Sequence, residues 1–540
     1  MRPFGVLPRG LDRVAPTSNP LHMSHHSTRP EGGPAQKIGF WLGIAAFAFL
    51  MIFPVDASNE PASNLAAVAL LMAIWWVSDA IPLFATALLP LFLYPLLGIL
   101  GARETAPIYF NSTIVLYIGG FMIALTMQKW NLHKRIALSI IHAVGGGPAR
   151  IVLGFMIAAG FLSMWISNTA TAVMMVPIGL AIVLKIEDSF GVERSHAFTV
   201  SLMLGIAYGC SVGGLSTLVG TPPNLSFVQI FKNLFPEAPE IAFGQWLIMA
   251  FPIGVLMIGL VWFFLTQVFY RTPEEVTVDH DVIVEEKLGL GPISYEERWI
   301  AVVFATTALL WVFRADLNLG FVSIPGWSNL FENPGMIDDG AVAIGMASLL
   351  FLIPTRDKSS GSSRIMGPDV VPKLPWDIVL LFGGGFALAA GLQRTGLAQL
   401  LGEQFELIGS LPTFAMIILV CLGITFLTEL TSNLATTEMI LPILAAVAVA
   451  TETHPLILMI PATLSASCAF MMPVATPPNA IVFGSGRLTV GEMARIGVFL
   501  NLIGALVISV IVFTIGTVVF DIDPSVVPEW ARSIAQGVEG

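Results

Sequence analysis

The stretch WISNTATAVMMVPI, Trp165 to Ile178, lies deep in an apolar part of the chain and carries no charge. It nevertheless places Ser167, Asn168 and Thr169 in a row, with Thr171 close behind. Polar side chains and free backbone groups are costly in hydrocarbon. Irregular backbone at membrane depth is tolerated only where it is buried in protein or lines a cavity. The stretch therefore predicts a broken helix inside a membrane protein.

The composition supports a membrane location. Of the 540 residues, 55% are hydrophobic and 11% are charged, whereas a soluble domain has about a quarter charged. Apolar runs of about 20 residues, long enough to span a bilayer, recur along the chain. We predict an all-α polytopic membrane protein surrounded by lipid. The net charge of −11 resides in loops and tails, and we expect no nucleic-acid partner.

Hydropathy predicts eleven crossings and two longer apolar stretches, 150–185 and 411–450. Each of these stretches is nearly twice the length of a span and is interrupted by S-N-T or T-S-N. We interpret each as a re-entrant hairpin, which enters the membrane and returns on the same side. The crossings are predicted at about 38–54, 64–81, 83–100, 112–128, 198–230, 244–270, 298–315, 339–354, 375–393, 455–482 and 495–520.

The basic residues give the orientation. With a cytoplasmic N-terminus and non-crossing hairpins, 20 of the 25 Lys and Arg residues lie inside and 5 outside. This distribution satisfies the positive-inside rule. We therefore expect an integral protein of the cell membrane (inner or plasma membrane) with an external C-terminus.

Three polar segments are predicted to lie outside the crossings. Residues 1–37 are interpreted as a disordered cytoplasmic tail, whose HMSHH cluster (22–26) is either solvated or a metal ligand. The segment 129–144 has the pattern of an amphipathic helix at the cytoplasmic interface. The segment 355–373 is rich in Gly, Ser and Pro and is predicted to be a flexible cytoplasmic linker.

Three sequence echoes occur in the same order in the two halves of the chain. In the predicted topology the two members of each pair run in opposite directions. Inverted repeats with broken helices at matching places are typical of secondary transporters, and the breaks mark the binding site. The pairs are SMWISNTATAVMMVPI (163–178) with TELTSNLATTEMILPI (428–443), GTPPN (220–224) with ATPPN (475–479), and VLYIGGF (115–121) with VLLFGGGF (379–386).

These echoes give a domain organisation with one helix outside the repeat. The order is tail 1–37, first helix 38–54, first inverted repeat 64–270 with hairpin 150–185, cytoplasmic loop 271–297, second inverted repeat 298–520 with linker 355–373 and hairpin 411–450, and external tail 521–540.

A hairpin tip offers two kinds of binding group. The first half-helix ends in free carbonyls with partial negative charge, and the second begins with free N–H groups that suit an anion. Hydroxyl, amide and carbonyl oxygens suit Na⁺ or another small hard cation. The T-P-P-N breaks free further carbonyls, because tandem prolines remove two N–H donors. The alternative is that such motifs are packing kinks or helix caps, which the pairing within a repeat disfavours.

The tips and breaks contain no Lys or Arg. A dianion would therefore be recognised by dipoles, hydroxyls and co-bound cations, which favours coupling. Two acids, Glu429 and Glu438, flank the second tip. Intramembrane acids are functional by default, which indicates a proton or cation role, and a structural role in hairpin packing is the alternative.

The stretch SASCAFMMPVATPPNAIVFGSG (465–486), together with the S-N-T tip and both T-P-P motifs, resembles the signature of the divalent anion/sodium symporter (DASS) family. The resemblance covers roughly residues 38–520. It implies a homodimer that works by an elevator mechanism. The scaffold would contain crossings 1–4 and 7–9, and the transport domain would contain both hairpins with crossings 5, 6, 10 and 11.

The resemblance also implies site residues. The second tip reads Ser-Asn-Leu where some members have Ser-Asn-Thr, which affects substrate choice. The implied sets are Ser163, Ser167, Asn168 and Gly220 for one Na⁺, Thr428, Thr431, Asn433 and Ala475 for the other, and Asn168, Thr169, Asn433, Leu434, Thr221 and Thr476 for the substrate.

We therefore expect Na⁺-coupled symport of a C4-dicarboxylate such as succinate or malate. A Na⁺-independent anion exchanger and a sulfate or citrate symporter remain open. An intramembrane enzyme using Ser485 and His454 is not expected, because nothing orients that pair. A channel is not expected either, since the sequence has no filter-like repeat or ring of charges.

Overall fold

The computed structural model describes residues 33–273, 281–318, 322–357, 362–403, 411–524 and 526–536. Residues 1–32 of the predicted tail, which include the HMSHH cluster, lie outside the described residues. Within these ranges the chain is helical apart from loops and one antiparallel pair of strands, β1 (Leu317–Asn318) and β2 (Ser323–Ile324), with Leu317 opposite Ile324.

The helices are numbered in chain order. The path of α12 continues as a π-helix over Phe264–Phe269, and that of α22 over Val512–Gly516. The helices are α1 (Pro34–Ile52), α2 (Glu60–Ser78), α3 (Leu83–Ala87), α4 (Leu89–Leu96), α5 (Ala102–Ile108), α6 (Ser112–Lys129), α7 (Leu132–Val144), α8 (Pro148–Ser163), α9 (Asn168–Phe190), α10 (Val192–Gly214), α11 (Pro222–Leu234), α12 (Phe243–Phe263), α13 (Asp281–Gly289), α14 (Tyr295–Val312), α15 (Asp339–Leu352), α16 (Trp376–Thr395), α17 (Leu397–Glu403), α18 (Thr413–Thr428), α19 (Asn433–Ala450), α20 (Pro455–Ala466), α21 (Pro477–Phe483), α22 (Val490–Ile511), α23 (Thr517–Val519) and α24 (Glu529–Gln536).

Nine helical segments among the described residues are long and apolar enough to cross a membrane. This agrees with the predicted all-α polytopic fold. Two of the nine, α9 and α19, are the second arms of the predicted hairpins. Their length would suffice for a full crossing, so the re-entrant course of both hairpins stays a prediction.

The predicted crossing 83–100 is not one helix. It is divided into α3 and α4, and Pro90 and Pro95 lie in the second piece. Each proline lacks the N–H that would bond to the preceding turn. Gly98 then takes a positive φ of 69° and ends the segment. The short α5 follows in the segment between two predicted crossings, where the sequence analysis predicts a loop.

The predicted cytoplasmic helix at 129–144 is present as α7. Its basic side chains bind one acid of α13 and one acid in the first turn of α14. Lys134 Nζ lies 2.8 Å from Glu286 Oε2, and Arg135 Nε lies 2.8 Å from Glu297 Oε1. The segment is therefore held by ion pairs on its polar face.

The predicted flexible linker is structured where it is described. Residues Pro368–Lys373 form a 3₁₀ helix. Asp369 accepts from Lys129 Nζ at 3.2 Å, and the indole N–H of Trp130 donates to the Ile365 carbonyl at 2.9 Å. These long-range contacts are not visible in a Gly-, Ser- and Pro-rich composition.

The predicted external tail also contains structure, namely α24. The ring of Trp530 packs edge-on against Phe231, Phe235 and His454 at 5.2–5.5 Å. Burial lowers the pKa of His454 to about 4, against the opposing effect of Asp523. The imidazole is therefore neutral at pH 7.

Small residues bring the first arm of the first hairpin close to α10. A Cβ placed on Gly213 would lie 2.2 Å from the Gly160 carbonyl oxygen and 2.3 Å from its Cα. Only glycine permits this approach, and small residues at helix contacts are characteristic of membrane proteins. The contact brings the end of α8 beside the break that follows α10.

Candidate functional site

The first tip is a four-residue turn between two helices, as the sequence predicts. Helix α8 ends at Ser163, and Ser167 caps α9 by accepting a hydrogen bond from the Ala170 N–H at 3.2 Å. This cap satisfies one of the free donors of the helix. The Thr217 hydroxyl donates to the Met164 carbonyl, which ties the tip to the break between α10 and α11.

Oxygen atoms converge between this tip and that break. A Cβ on Gly214 would lie 2.8 Å from Asn168 Oδ1 and 3.1 Å from the Gly220 carbonyl oxygen. A Cβ on Gly220 would lie 2.5 Å from the Gly214 carbonyl oxygen and 3.0 Å from that of Ser163. The two glycines therefore allow a close approach of the tip and the break, at which one amide oxygen, one amide nitrogen and three carbonyl oxygens lie near one another.

Two side-chain oxygens of the first tip have no hydrogen-bond partner among the residues that the structure describes. Ser163 Oγ and Asn168 Oδ1 are both buried and unpaired. Leaving a buried polar atom unsatisfied costs about 1–3 kcal/mol. Neutral oxygens are the ligands that hard cations take, so Ser163, Asn168 and Gly220 fit a Na⁺ ion. The fourth predicted ligand, Ser167, lies in the same tip and its hydroxyl oxygen caps α9.

The second tip is built alike but is internally satisfied. The Thr428 hydroxyl is 2.8 Å from Asn433 Oδ1 and 2.9 Å from the Ala466 carbonyl oxygen. The Thr431 hydroxyl bonds instead to the Leu427 carbonyl at 3.0 Å and to the Thr436 hydroxyl. Two of the predicted ligands of the second tip, Thr428 and Asn433, are thus hydrogen-bonded to each other. Ala475 is buried in the break between α20 and α21.

The proline motifs interrupt the predicted crossings 198–230 and 455–482, as the sequence predicts. Both prolines of each motif begin a new helix, where a missing N–H is harmless. The following asparagines, Asn224 and Asn479, hold the unwound backbone, and in both residues Oδ1 is buried without a partner. Asn224 Nδ2 donates to the carbonyls of Gly214, Leu215 and Thr217 at 2.8–3.3 Å, and Asn479 Nδ2 donates to those of Ala469 and Met472 at 3.0–3.1 Å.

The two breaks meet each other. Thr221 Oγ1 of the first lies 3.5 Å from Ser467 Oγ of the second. Helix α9 packs against α21, and α19 packs against α11. The second arm of each hairpin therefore packs on the helix that begins with the proline pair of the other half. Thr476 Oγ1 is 3.4 Å from the Asn479 N–H, which it caps.

The predicted substrate residues differ in exposure. Asn168, Thr169 and Asn433 are partly exposed, whereas Leu434 is buried. The side chain of Leu434 therefore packs in the protein, and the second tip offers backbone and the Asn433 side chain. Ser467 joins this region without having been predicted, and its only sequence signal is a hydroxyl inside an apolar crossing.

Glu429 has a structural role in this arrangement. Its Oε1 accepts from the N–H groups of Phe470 and Met471 at 2.7 and 2.8 Å, and Oε2 accepts from Met472 at 3.0 Å. The Asn501 amide adds a fourth donor at 2.8 Å. The carboxylate thus satisfies the free N–H groups of the break after α20. Asn501 was not predicted, although a lone Asn in the apolar α22 was a signal.

In both halves a hydrogen bond joins the tip to the break, but the side chain and the backbone exchange roles between the halves. The sequence echo aligns Met164 with Glu429, and Thr217 with Met472. In the first half the side chain of the break donates to the backbone of the tip. In the second half the backbone of the break donates to the side chain of the tip. The same junction is therefore conserved in position but not in residue type.

The enzyme alternative gains no support from the two residues that suggested it. The Ser485 hydroxyl donates to the Val482 carbonyl at 2.6 Å. His454 Nδ1 accepts from the Leu456 N–H at 3.3 Å, which makes it the cap of α20. Each group is engaged in its own helix end.

Comparisons with known proteins identify relatives of this chain. Residues 36–522 match the family described as the sodium:sulfate symporter transmembrane region. The sodium-dependent dicarboxylate transporter SdcS of Staphylococcus saprophyticus is 40% identical over 495 residues, which are 90% of this chain and 93% of that protein. SdcS of Staphylococcus aureus NCTC 8325 is also 40% identical, over 90% of this chain and 92% of the relative.

Two solved structures share the fold at low sequence identity. The YdaH transporter of Alcanivorax borkumensis superposes with a TM-score of 0.51 at 14% identity, covering 85% of this chain and 99% of that one. MtrF of Neisseria gonorrhoeae gives 0.55 at 12% identity, covering 88% and 98%. The match of the family over nearly the whole membrane region, together with the 40% identical relatives, shows that this chain is an integral membrane protein of the sodium:sulfate symporter family.

Proposed function

We propose that the protein is a Na⁺-coupled symporter of C4-dicarboxylates. The observation that carries the proposal is the pair of buried, unpaired oxygens at the first tip, Ser163 Oγ and Asn168 Oδ1. The carbonyl oxygens of Ser163, Gly214 and Gly220 lie around the same two glycines as Asn168 Oδ1. The names of the 40% identical relatives add sodium dependence and a dicarboxylate.

The anion would bind at the helix N-termini of the two tips. Helices α9 and α19 begin at Asn168 and Asn433, and their first N–H groups have no partner within the helix. Such ends attract carboxylates. The tips and breaks supply no Lys or Arg, so Na⁺ would provide the compensating positive charge. Neither ion is stable alone in a low dielectric, which couples their binding.

The buried Leu434 favours a C4-dicarboxylate among the family's substrates. A polar anion such as sulfate gains most from hydroxyl donors around all of its oxygens, and the second tip lacks one hydroxyl at this position. A dicarboxylate would place one carboxylate at each tip, with its methylene groups beside the leucine. Sulfate and citrate are the alternatives that competition must test.

Movement would take the form of an elevator in a homodimer. Helices α11 and α19 of the proposed transport domain pack on α16 of the proposed scaffold, and polar contacts join the two domains elsewhere. Thr113 of α6 donates to Gln229 of α11 at 2.8 Å, and Arg314 NH2 lies 2.6 Å from Glu240. Interfaces of this type can be broken and remade, as a sliding domain requires.

The direct test is uptake of radiolabelled succinate, citrate and sulfate by proteoliposomes, with and without Na⁺. We expect succinate uptake to collapse to background when choline replaces Na⁺, because the anion site then lacks its counter-charge. Empty liposomes are the control. Uptake that persists in choline and requires an anion inside the vesicles would identify an exchanger, and sulfate as the preferred substrate would refute the dicarboxylate assignment.

The elevator is tested by tethering the two domains. Cysteines introduced at Thr113 and Gln229, bridged by a short bifunctional methanethiosulfonate, should stop Na⁺-driven uptake, and a reductant should restore it. The single Thr113→Cys and Gln229→Cys proteins treated with the same reagent are the matched controls. Full uptake by the bridged protein would exclude relative motion of α6 and α11.

A further inference from the structure

An acid of the second hairpin lies in a position that cation and anion binding at the tips leaves unexplained. Glu438 is five residues beyond Asn433 in α19 and is 0% exposed. The sequence echo places Val173 at the corresponding position of the first hairpin. The acid is therefore an addition to the second half, not a part of the shared pattern.

The carboxyl group lies between two helices. Its Oε1 is 2.7 Å from the Ser226 hydroxyl of α11. Its Oε2 is buried and has no hydrogen-bond partner. A Cβ built on Gly385 of α16 would lie 1.4 Å from Oε2, 2.1 Å from Cδ and 2.7 Å from Cγ. The carboxyl thus fills the space that a side chain on Gly385 would occupy.

No charged group faces this carboxyl from either helix. On α11, Lys232 is exposed and six residues from Ser226, which is about 9 Å along the helix. On α16, Asp377 and Arg394 are eight and nine residues from Gly385, or about 12–14 Å away. Helix α19 has no other titratable residue, and α18 and α20, which pack on it, contain no Asp, Glu, Lys or Arg. Glu60 of α2 and Glu529 and Arg532 of α24, two further helices that pack on α19, do not act on Glu438 by charge.

A carboxylate in this position would have one hydroxyl donor for two oxygens and no compensating charge, which is a costly burial. A neutral carboxylic acid has an O–H donor of its own and fewer acceptor sites to satisfy. The Ser226 hydroxyl can either donate to it or accept from it. We propose that Glu438 is a proton-binding site, which holds a proton while its carboxyl is enclosed by Ser226 and Gly385.

The protonation state of Glu438 would depend on the position of the transport domain. This step rests on the proposed function, in which α19 and α11 move and α16 belongs to the scaffold. When α16 withdraws, water reaches the carboxyl and its O–H bond is broken by transfer of the proton to water. The reverse step reloads it, and no other bond changes. Because the proton binds the enclosed state better, acid shifts the population towards that state.

Infrared difference spectroscopy of the purified full-length protein tests proton binding without requiring transport. The spectrum of wild type minus Glu438→Gln at neutral pH should contain the C=O band of a protonated carboxyl, and D₂O should shift that band to lower frequency. The matched control is Glu429→Gln, because four N–H donors surround that acid. The spectrum of this variant should still contain the carboxyl band assigned to Glu438. Absence of the band from the difference spectrum overturns the proposal.

The pH profile of transport tests the link to movement. Uptake is expressed per substrate dianion present at each pH, because acid also protonates the dicarboxylate. On that scale wild-type uptake at a fixed Na⁺ gradient should fall several-fold as the medium is acidified, whereas Glu438→Gln, which mimics the permanently protonated acid, should be slow and insensitive to pH. Identical profiles would refute the link. If no protein transports any of the anions, the proposed function fails, while the infrared result still decides whether Glu438 holds a proton.

Discussion

Replacing Asn168 by alanine should abolish Na⁺-dependent uptake and leave the folded protein intact. Asn168 Oδ1 lies near Gly214 and the Gly220 carbonyl oxygen, and it has no hydrogen-bond partner among the described residues. Its removal deletes a proposed cation ligand without breaking a hydrogen bond that this oxygen accepts. We therefore expect uptake at the level of empty liposomes and a melting temperature without Na⁺ equal to, or above, that of wild type.

Binding and folding are separated by a second measurement. Na⁺ at 100 times its dissociation constant stabilises a one-site protein by about 2.7 kcal/mol, so wild-type protein should melt at a higher temperature in NaCl than in choline chloride. The Asn168→Ala protein should lose most of that difference. Asn64→Ala is the matched control, since Asn64 bonds to the Leu97 carbonyl in the proposed scaffold. Retained Na⁺-driven uptake in Asn168→Ala would refute the site.

The same change at the second tip should have a different thermodynamic signature. Asn433 Oδ1 accepts from Thr428 at 2.8 Å, and an intramolecular hydrogen bond contributes about 1 kcal/mol. Asn433→Ala should therefore lose uptake and also melt at a lower temperature without Na⁺. The two asparagines are equivalent in the sequence echo, and the structure distinguishes them by their partners.

The breaks in the helices were predictable because their causes are local. Two consecutive prolines cannot continue a helix, and Ser-Asn inside an apolar run has few roles other than ending one helix and capping the next. Both tips and both proline breaks are accordingly located where the sequence places them. The asparagine after each proline pair is also visible in the sequence. Its hydrogen bonds are not: Asn224 donates to three carbonyls and Asn479 to two.

What the sequence did not reveal is set by contacts between distant segments. Gly214 lies beside Asn168, a proposed cation ligand, but only the packing of α8 on α10 makes the two residues neighbours. Thr431 has the right residue type for a ligand, and its hydroxyl is directed to Thr436 by the register of the turn. Asn501 and Glu429 are 72 positions apart. Helix periodicity contains no information about such pairs.

Polar segments were the other source of difference. The 355–373 linker and the C-terminal α24 have compositions that favour loops, yet Trp130 and Trp530 anchor them through single aromatic side chains. One tryptophan can contribute enough burial to order a short segment, because it buries 150–250 Å². Hydropathy averages over a window and does not register such an anchor.

Glu429→Ala should produce the largest loss of stability among the changes considered for this chain. Three backbone N–H groups and the Asn501 amide would lose their acceptor inside the protein. An orphaned buried donor costs about 1–3 kcal/mol. Even with partial relaxation, we expect the free energy of unfolding in detergent to fall by about 3 kcal/mol or more.

Transport should fall with it, because Glu429 joins the second tip to the break that contains Thr476. Glu429→Gln keeps one acceptor oxygen and turns an NH₂ group towards the N–H donors, so an intermediate loss of stability is expected. Glu237→Ala, an exposed acid in the loop before α12, is the control and should leave stability unchanged. If the free energy of unfolding of Glu429→Ala equalled that of wild type, the break would not need this carboxylate. The hydrogen bonds from the backbone of the break to Glu429 would then not be what joins the second tip to its break.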